Sequence, residues 1–597
     1  MKFELTDIEE MDPKLQQLVS KEQRGIKTPQ TISSDAGFVS VVARVSDLDA
    51  WMNLTEIVQA SHIGNSDDGT ESIVTGRVPV KLITEIREKH FVRSLKPGVK
   101  LKPTLAATVE EIRASQSIIE PLIQGSAPGA GVVVGIIDYG CDFVHKNFRL
   151  ADGTSRIMAI WDQTGPSNHE SPFGYGCVYS REQINLALQS QNPYSALAYE
   201  PGPNSHGTHV MDIAAGNGIG TGVPGVAPGA EIIFVQIATD DIAWSGPDVV
   251  DTSFGDSVQL LEAAKFIFDK AGDKPCVINF SLGTNGGPHD GSRLAEQGLD
   301  SLLSFKNRAI VIAASNAYAD NIHAQGRVSS GGYTDITWQV GALDPTENEI
   351  EVWYSGQDEF EAELIGPDNS SVAKTKLGEN GLLKDDAGKV ALFFSHRKHD
   401  PNNGDNLVDI FMEQGLPTGL WTLRLHGVTV SNGFFHAWVE RDDNGQSSFV
   451  APLDKGFTLG SISTGRKTIV VGSYDGHRTT KPLSYFSSAG PTRDGREKPE
   501  ISAPGHEVWA AASRSLNGSV KKSGTSMAAP AVAGAIAIVY AEAHSQGLKL
   551  SNKDVRDLVV QTARQTSPGN SWDSRYGNGR LDAEAMLQRL SVQVPVN

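Results

Sequence analysis

The stretch Ser523-Gly524-Thr525-Ser526-Met527-Ala528-Ala529-Pro530 runs directly into Ala531-Val532-Ala533-Gly534-Ala535. It reads as a loop turning into a buried helix. Gly524 permits backbone angles and close approaches that other residues resist. Ser526 falls at the helix start, where free N–H groups and the positive dipole end favour a developing negative charge. The small residues from Ala528 to Ala535 let the helix pack deep in a domain. Ser526 is therefore a candidate nucleophile carried on a core element.

Two further stretches match it. Gly131–Ile137 is a continuous apolar run rich in β-branched residues and reads as a buried parallel strand. It ends on Asp138, which puts a carboxylate at the carboxyl end of a strand, where active sites of open α/β sheets form. Asn204-Ser205-His206-Gly207-Thr208-His209-Val210 sets His206 at the start of a helix continuing to Ala215. Ala309–Ala314 is another buried strand, running into Ser315-Asn316-Ala317-Tyr318.

With these blocks in view, the chain resembles the subtilisin-like serine proteases, the subtilases. Asp138 lies in the family's Asp-x-Gly frame, His206 in its His-Gly-Thr-His frame and Ser526 in its Gly-Thr-Ser-Met-Ala-x-Pro frame. Val226-Ala227-Pro228, Asn279–Gly283, Phe486–Pro491 and Lys498–Gly505 match further blocks in the same order. The resemblance covers about residues 115–325 and 455–597. It implies an α/β three-layer domain with a mostly parallel central sheet. It also implies a serine endopeptidase in which His206 takes the Ser526 proton and Asp138 orients the imidazole. Asn316 would be the side-chain oxyanion donor, and Ser281-Leu282-Gly283 would pair with substrate as a strand. The family usually has Gly before this Asn and Glu-Gly after it. Ser315 and Tyr318 depart from that pattern, with consequences expected for the loop or the adjoining specificity pocket. His209 reads as a structural neighbour of His206, and Cys141 as a small buried hydrophobe.

A net charge of −19 argues against nucleic acid and anionic membrane surfaces as partners. Three cysteines give no disulfide framework. Met1–Glu10 has neither a basic start nor an apolar core, and the run Ala528–Tyr540 is too short to span a bilayer. The expected location is cytoplasmic. The expected partners are a protein or peptide substrate and the chain's own propeptide. No metal ligand or cofactor is assigned; calcium rests on family analogy alone, since no acidic calcium loop stands out. Gly220–Gly225 fits a dinucleotide fingerprint by letters, but it follows a helix and precedes a strand, the reverse of what that motif requires.

Along the chain, residues 1–35 read as a polar, helix-prone but loosely organised extension broken near Pro29 and Ser33-Ser34-Asp35. Residues 36–100 follow a βαββαβ pattern, which suggests a ferredoxin-like module. Its place upstream of a subtilase-like domain implies a propeptide that blocks the cleft. Residues 101–118 form a linker with the expected processing site, followed by a first catalytic segment, 119–329. Between 330 and 455, short alternating segments at Ile336–Val340, Ile350–Tyr354, Phe360–Ile365, Val390–Ser395, Leu407–Met412, Trp421–Leu425 and Phe434–Glu440 suggest an inserted, jelly-roll-like β-sandwich. Turns such as residues 442–445 separate them. Residues 456–597 complete the catalytic domain. An insertion at this place, with Ile160–Thr164 and His289–Ser292, is similar to the Csp-type germination proteases. Two other functions fit the same residues: a binding scaffold without turnover, and a peptide ligase using the same triad.

Overall fold

The computed structural model describes residues 2–5, 11–24, 37–66, 69–98, 102–103, 109–168, 170–237, 257–341, 346–385, 387–441, 445–566 and 571–593. The expected breaks at Pro29 and 33–35, turn residues 442–444 and linker residues 99–101 and 104–108 lie outside these.

Eight strands form the central sheet, in the order Ile501–Pro504, Ile469–Tyr474, Arg308–Ala313, Cys276–Phe280, Val133–Asp138, Glu231–Gln236, Ile157–Asp162 and Cys177–Ser180. Neighbouring pairs are parallel except the last, which is antiparallel. Alternation along the strand Val133–Asp138 builds both faces. Val134 and Ile136 pack under the helices His206–Ala215 and Thr525–Ser545. Val133 and Ile137 pack under Ser257–Ala271 and Leu294–Leu302.

The small residues of the Thr525–Ser545 helix do the work their size suggests. A Cβ on Gly534 would come within 2.5 Å of Val226 Cβ and 2.8 Å of Ala214 O, so glycine sets the spacing to the His206 helix. At 21 residues this helix is, by length and composition, long and apolar enough to cross a membrane, contrary to the shorter run expected. Its most apolar window is 94% buried inside the domain.

Residues 38–97 form a four-stranded antiparallel sheet in the order Val58–Asn65, Ser72–Pro79, Phe38–Val45, Val92–Pro97, with helices Leu48–Met52 and Ile83–Glu88. This is the ferredoxin-like order. Ile63 and Ile73 from this sheet share a core with Leu261 and Leu299, so it sits on the two helices Ser257–Ala271 and Leu294–Leu302.

The sandwich has a seven-stranded and a five-stranded sheet around one core. Trp338 and Trp421 lie opposite each other in the five-stranded sheet, and both are buried. Two expectations need correction. The sandwich takes in His323–Arg327, which pairs with Phe434–Val439, so it begins before residue 330. The described residues of the N-terminal extension are ordered, not loose: Lys2–Leu5 pairs with Asn380–Lys384 as an edge strand of the seven-stranded sheet. Pro13–Gln23 is a helix capped by the Asp12 side chain, with Pro13 at its first position.

Candidate active site

Asp138 closes the strand Val133–Asp138, and its carboxylate accepts from His206 Nδ1 at 2.7 and 2.8 Å. The Tyr139 backbone N–H donates to the same carboxylate at 2.7 Å. The Tyr139 ring lies flat against the His206 imidazole, with centroids 5.5 Å apart and planes at 12°. Carboxylate and ring fix the imidazole in rotation and tilt. With Nδ1–H spent on Asp138, Nε2 is the nitrogen left to act as a base.

Ser526 is the second residue of its helix, after Gly524 at φ +147°. Its hydroxyl donates to the Ser281 carbonyl at 3.2 Å, while the Ser281 hydroxyl donates to the Ser526 carbonyl at 2.8 Å. This reciprocal pair ties the serine loop to the segment Ser281-Leu282-Gly283. Asp138, His206 and Ser526 are each at most 1% exposed, so solvent is excluded from all three.

Asn316 lies three residues past the strand Arg308–Ala313. Its Oδ1 accepts from the Thr525 backbone N–H at 2.9 Å and the Thr525 hydroxyl at 3.0 Å. The carbonyl end of the amide is thereby tied down next to Ser526, and the Nδ2 end is the one turned away from Thr525. Ser315, where the family usually has glycine, sits at φ +85°, in the region glycine favours. Beside it lies a cavity of about 460 Å³ lined by Ser315, Asn316, Ala317 and, from the sandwich edge, Arg441 and Ser448. Tyr318 instead carries the Arg575 guanidinium on its ring, 3.6 Å from the centroid.

Leu282–Gly283 is a short strand paired antiparallel with Lys102–Pro103: Leu282 faces Pro103 and Gly283 faces Lys102. The chain's own linker therefore occupies an edge to which an extended peptide would add. The strand is steadied from the sandwich. Glu440 accepts from the backbone N–H groups of Asn285 (2.7 Å) and Gly286 (3.2 Å) and from the Thr284 hydroxyl. Sequence reasoning missed three of these partners. Thr525 stood inside a quoted motif and Tyr139 at the middle position of the Asp-x-Gly frame, both without a role; Glu440 gave no local signal because it acts some 155 residues from its partner.

His209 is fully buried and its Nε2 meets the Val520 carbonyl at 3.0 Å. Burial pushes its pKa well below the ordinary value, so it is a neutral structural ring. Burial drives the Cys141 thiol well above its usual range, leaving it an unreactive hydrophobe. Among the described residues, no group of three or more His, Cys, Asp or Glu ligands gathers at this cleft.

The Subtilase family (Peptidase_S8) profile matches residues 129–579. The chain is 24% identical over 86% of its length to a C5a peptidase of Streptococcus pyogenes serotype M18, covering 44% of that protein. It is 24% identical over 69% of its length to a PI-type proteinase of Lactococcus lactis subsp. cremoris, covering 22% of it. The chain thus spans less than half the length of these relatives. Among solved structures, the CspB protease of Clostridium perfringens superposes with a TM-score of 0.67 at 26% identity, covering 81% of this chain and 99% of that one. The profile match spans the central sheet together with Asp138, His206, Ser281, Asn316 and Ser526, and the chain belongs to the subtilase family of serine peptidases.

Proposed function

We propose that the chain is a serine endopeptidase made as a zymogen that cuts its own linker. In this reading Ser526 attacks the scissile carbonyl while His206 Nε2 takes its proton. Asp138 stabilises the imidazolium, and His206 then protonates the leaving amine. The Asn316 amide and the Ser526 N–H receive the oxyanion. Water hydrolyses the acyl-enzyme. Before attack the Ser526 hydroxyl must turn from the Ser281 carbonyl toward His206.

One observation carries the reading: Lys102–Pro103 pairs antiparallel with Leu282–Gly283. Continued by one residue, that antiparallel register would set the next linker position opposite Ser281, whose carbonyl already holds the Ser526 hydroxyl. On that extrapolation the bond after Thr104 would be the first to reach the serine, and we assign the cut to residues 104–108. The N-terminal module, residues 36–100, then acts as the intramolecular inhibitor.

A fluorophosphonate probe mapped by peptide mass spectrometry tests the chemistry. We expect an adduct on Ser526 in the processed enzyme and none in a His206→Ala chain. Absence of label on processed wild type would leave a binding scaffold as the better reading. The hydrolysis arm is checked by product mass with an added peptide amine: joined ends would mark a ligase.

A further inference from the structure

Away from the cleft, the sandwich buries an acidic cluster. Glu349 and Glu351 stand two residues apart on the strand Asn348–Tyr354 and so share one face of the sheet. The register sets Asp409 directly opposite Glu351. One carboxylate oxygen from each of the three lies within 4.8 Å of the other two. Like charges opposed across a sheet repel, and burial strengthens the repulsion: Glu351 is 3% exposed and Asp409 1%.

Two observations indicate what the cluster holds. The first is a cation already inside it. Lys14, from the helix Pro13–Gln23, places its ammonium 2.8 Å from Glu349, 3.6 Å from Glu351 and 4.0 Å from Glu440, whereas the Arg293 guanidinium of the catalytic domain stands at the rim, 3.8 Å from Glu351. The second is that this cation does not complete the site. Asp409 keeps one buried carboxylate oxygen without a hydrogen-bond partner among the described residues. An all-oxygen set of carboxylates is the ligand chemistry of a hard divalent cation, with waters filling the remaining positions. Trp353 Nε1 donates to Glu351 at 2.7 Å, the kind of outer contact that fixes a ligating carboxylate.

The plug is attached to the inhibitor. Leu15, Leu18 and Val19 of the Lys14 helix share one core with Val41, Ile83 and Leu95 of the N-terminal module. Lys14 also precedes the linker, so whatever removes the module removes the ammonium with it.

We propose that Glu349, Glu351 and Asp409 form a divalent-cation site of the calcium class, plugged by Lys14 in the uncut chain, and that the cation competes with the N-terminal segment for it. The competition rests on the zymogen reading; the site does not. A cation that binds only the vacated cluster draws the cut protein toward release of its inhibitor by mass action.

The test uses the full chain carrying Ser526→Ala, which cannot process itself, with and without Lys14→Met, which keeps the aliphatic stem. Terbium is the probe, with Trp353 as the neighbouring sensitiser. The Lys14→Met chain is expected to bind one terbium, displaced by calcium, at least about tenfold more tightly than its parent. Adding Asp409→Asn abolishes that binding. Equal binding in parent and Lys14→Met, or binding unaltered by Asp409→Asn, overturns the site. If Lys14→Met fails to fold by circular dichroism, Lys14→Gln replaces it in the same comparison. For the competition, processed wild type is run on size exclusion with and without calcium. Separation of the N-terminal fragment only with calcium, lost in Glu351→Gln, is the expected result; co-elution in both conditions overturns the competition.

Discussion

At the scale of single residues, Asn316 shows how a loop is aimed. Thr525 holds its carbonyl with both a backbone N–H and a hydroxyl, which leaves the amide nitrogen as the available donor. Asn316→Ala is expected to lower kcat about 10²–10³-fold with little change in KM. Thr525→Val removes one of the two tethers and should cost less, because the backbone N–H remains. Steady-state kinetics on processed enzyme measure both, and an unchanged kcat in Asn316→Ala would take that side chain out of the chemistry. The sequence drew attention to Asp138, His206 and Ser526 because each sits in a short frame of several consecutive residues, and to Asn316 through a frame that Ser315 and Tyr318 break. What no frame revealed was the left-handed backbone at Ser315, since serine gives no local sign of φ +85°. Nor did it reveal that Tyr318 would turn to Arg575 rather than to the pocket.

At the scale of elements, the N-terminal sheet is held to the helix Ser257–Ala271 by a buried ion pair. Arg77 Nη2 lies 3.0 Å from Glu262 Oε2, with the two side chains 2% and 0% exposed. The Thr75 hydroxyl (2.9 Å) and the Tyr175 hydroxyl (2.6 Å) donate to the same carboxylate, and the guanidinium stands 4.8 Å from the Tyr175 ring centroid. Removing one partner of such a pair leaves a buried charge uncompensated, at a cost of about 3–5 kcal/mol. Arg77→Ala is therefore expected to lower the melting temperature of the full chain. It should also weaken inhibition by a separately added N-terminal segment by more than about a hundredfold. An unchanged inhibition constant would show that the sheet is held by its apolar contacts alone. The βαββαβ order of this module was legible from the switch between alternating and helical periods. Its partner was not, because Arg77 and Glu262 meet across 185 residues. The same limit applies to Lys2–Leu5, a short polar strand that exists only by pairing with Asn380–Lys384. The edge strand Ser371–Lys376 was missed because its sequence, Ser-Val-Ala-Lys-Thr-Lys, has too few apolar residues to mark a buried face.

At the scale of the whole molecule, the sandwich carries buried histidines and meets the catalytic domain through a histidine–tryptophan stack. His289, from the catalytic domain, stacks on Trp438 of the sandwich with centroids 4.1 Å apart and planes at 7°. His323 Nε2 and His436 Nδ1 are 3.0 Å apart, and the His396 ring bonds to the Tyr354 hydroxyl at 2.6 Å. Burial lowers His289 and His396 to about 3 and His436 to about 2 from an ordinary 6.5. Each is neutral in the fold, whereas the unfolded chain takes up a proton near 6.5. Below that pH the unfolded state binds more protons, so stability falls as pH drops from 6.5 toward about 3, by up to about 1.4 kcal/mol per unit for each ring. Melting temperature against pH should show this slope, and it should be shallower in His396→Gln. A His396→Gln profile with the same slope as wild type between pH 6.5 and 4.5 would contradict the buried neutral assignment. That an insertion exists, and that it is a sandwich, was legible from its alternating segments and turns. That it braces the segment following Leu282–Gly283 through Glu440 was not, because a brace between domains leaves no periodic trace in either one.

The most direct test of the zymogen reading is intact-mass analysis of purified wild type beside Ser526→Ala. Wild type is expected as two fragments that meet within residues 104–108, and the Ser526→Ala chain as one full-length mass. A wild type that stays whole under conditions where Ser526 accepts a fluorophosphonate, or a Ser526→Ala chain cut at the same bond, would contradict self-cleavage by this serine.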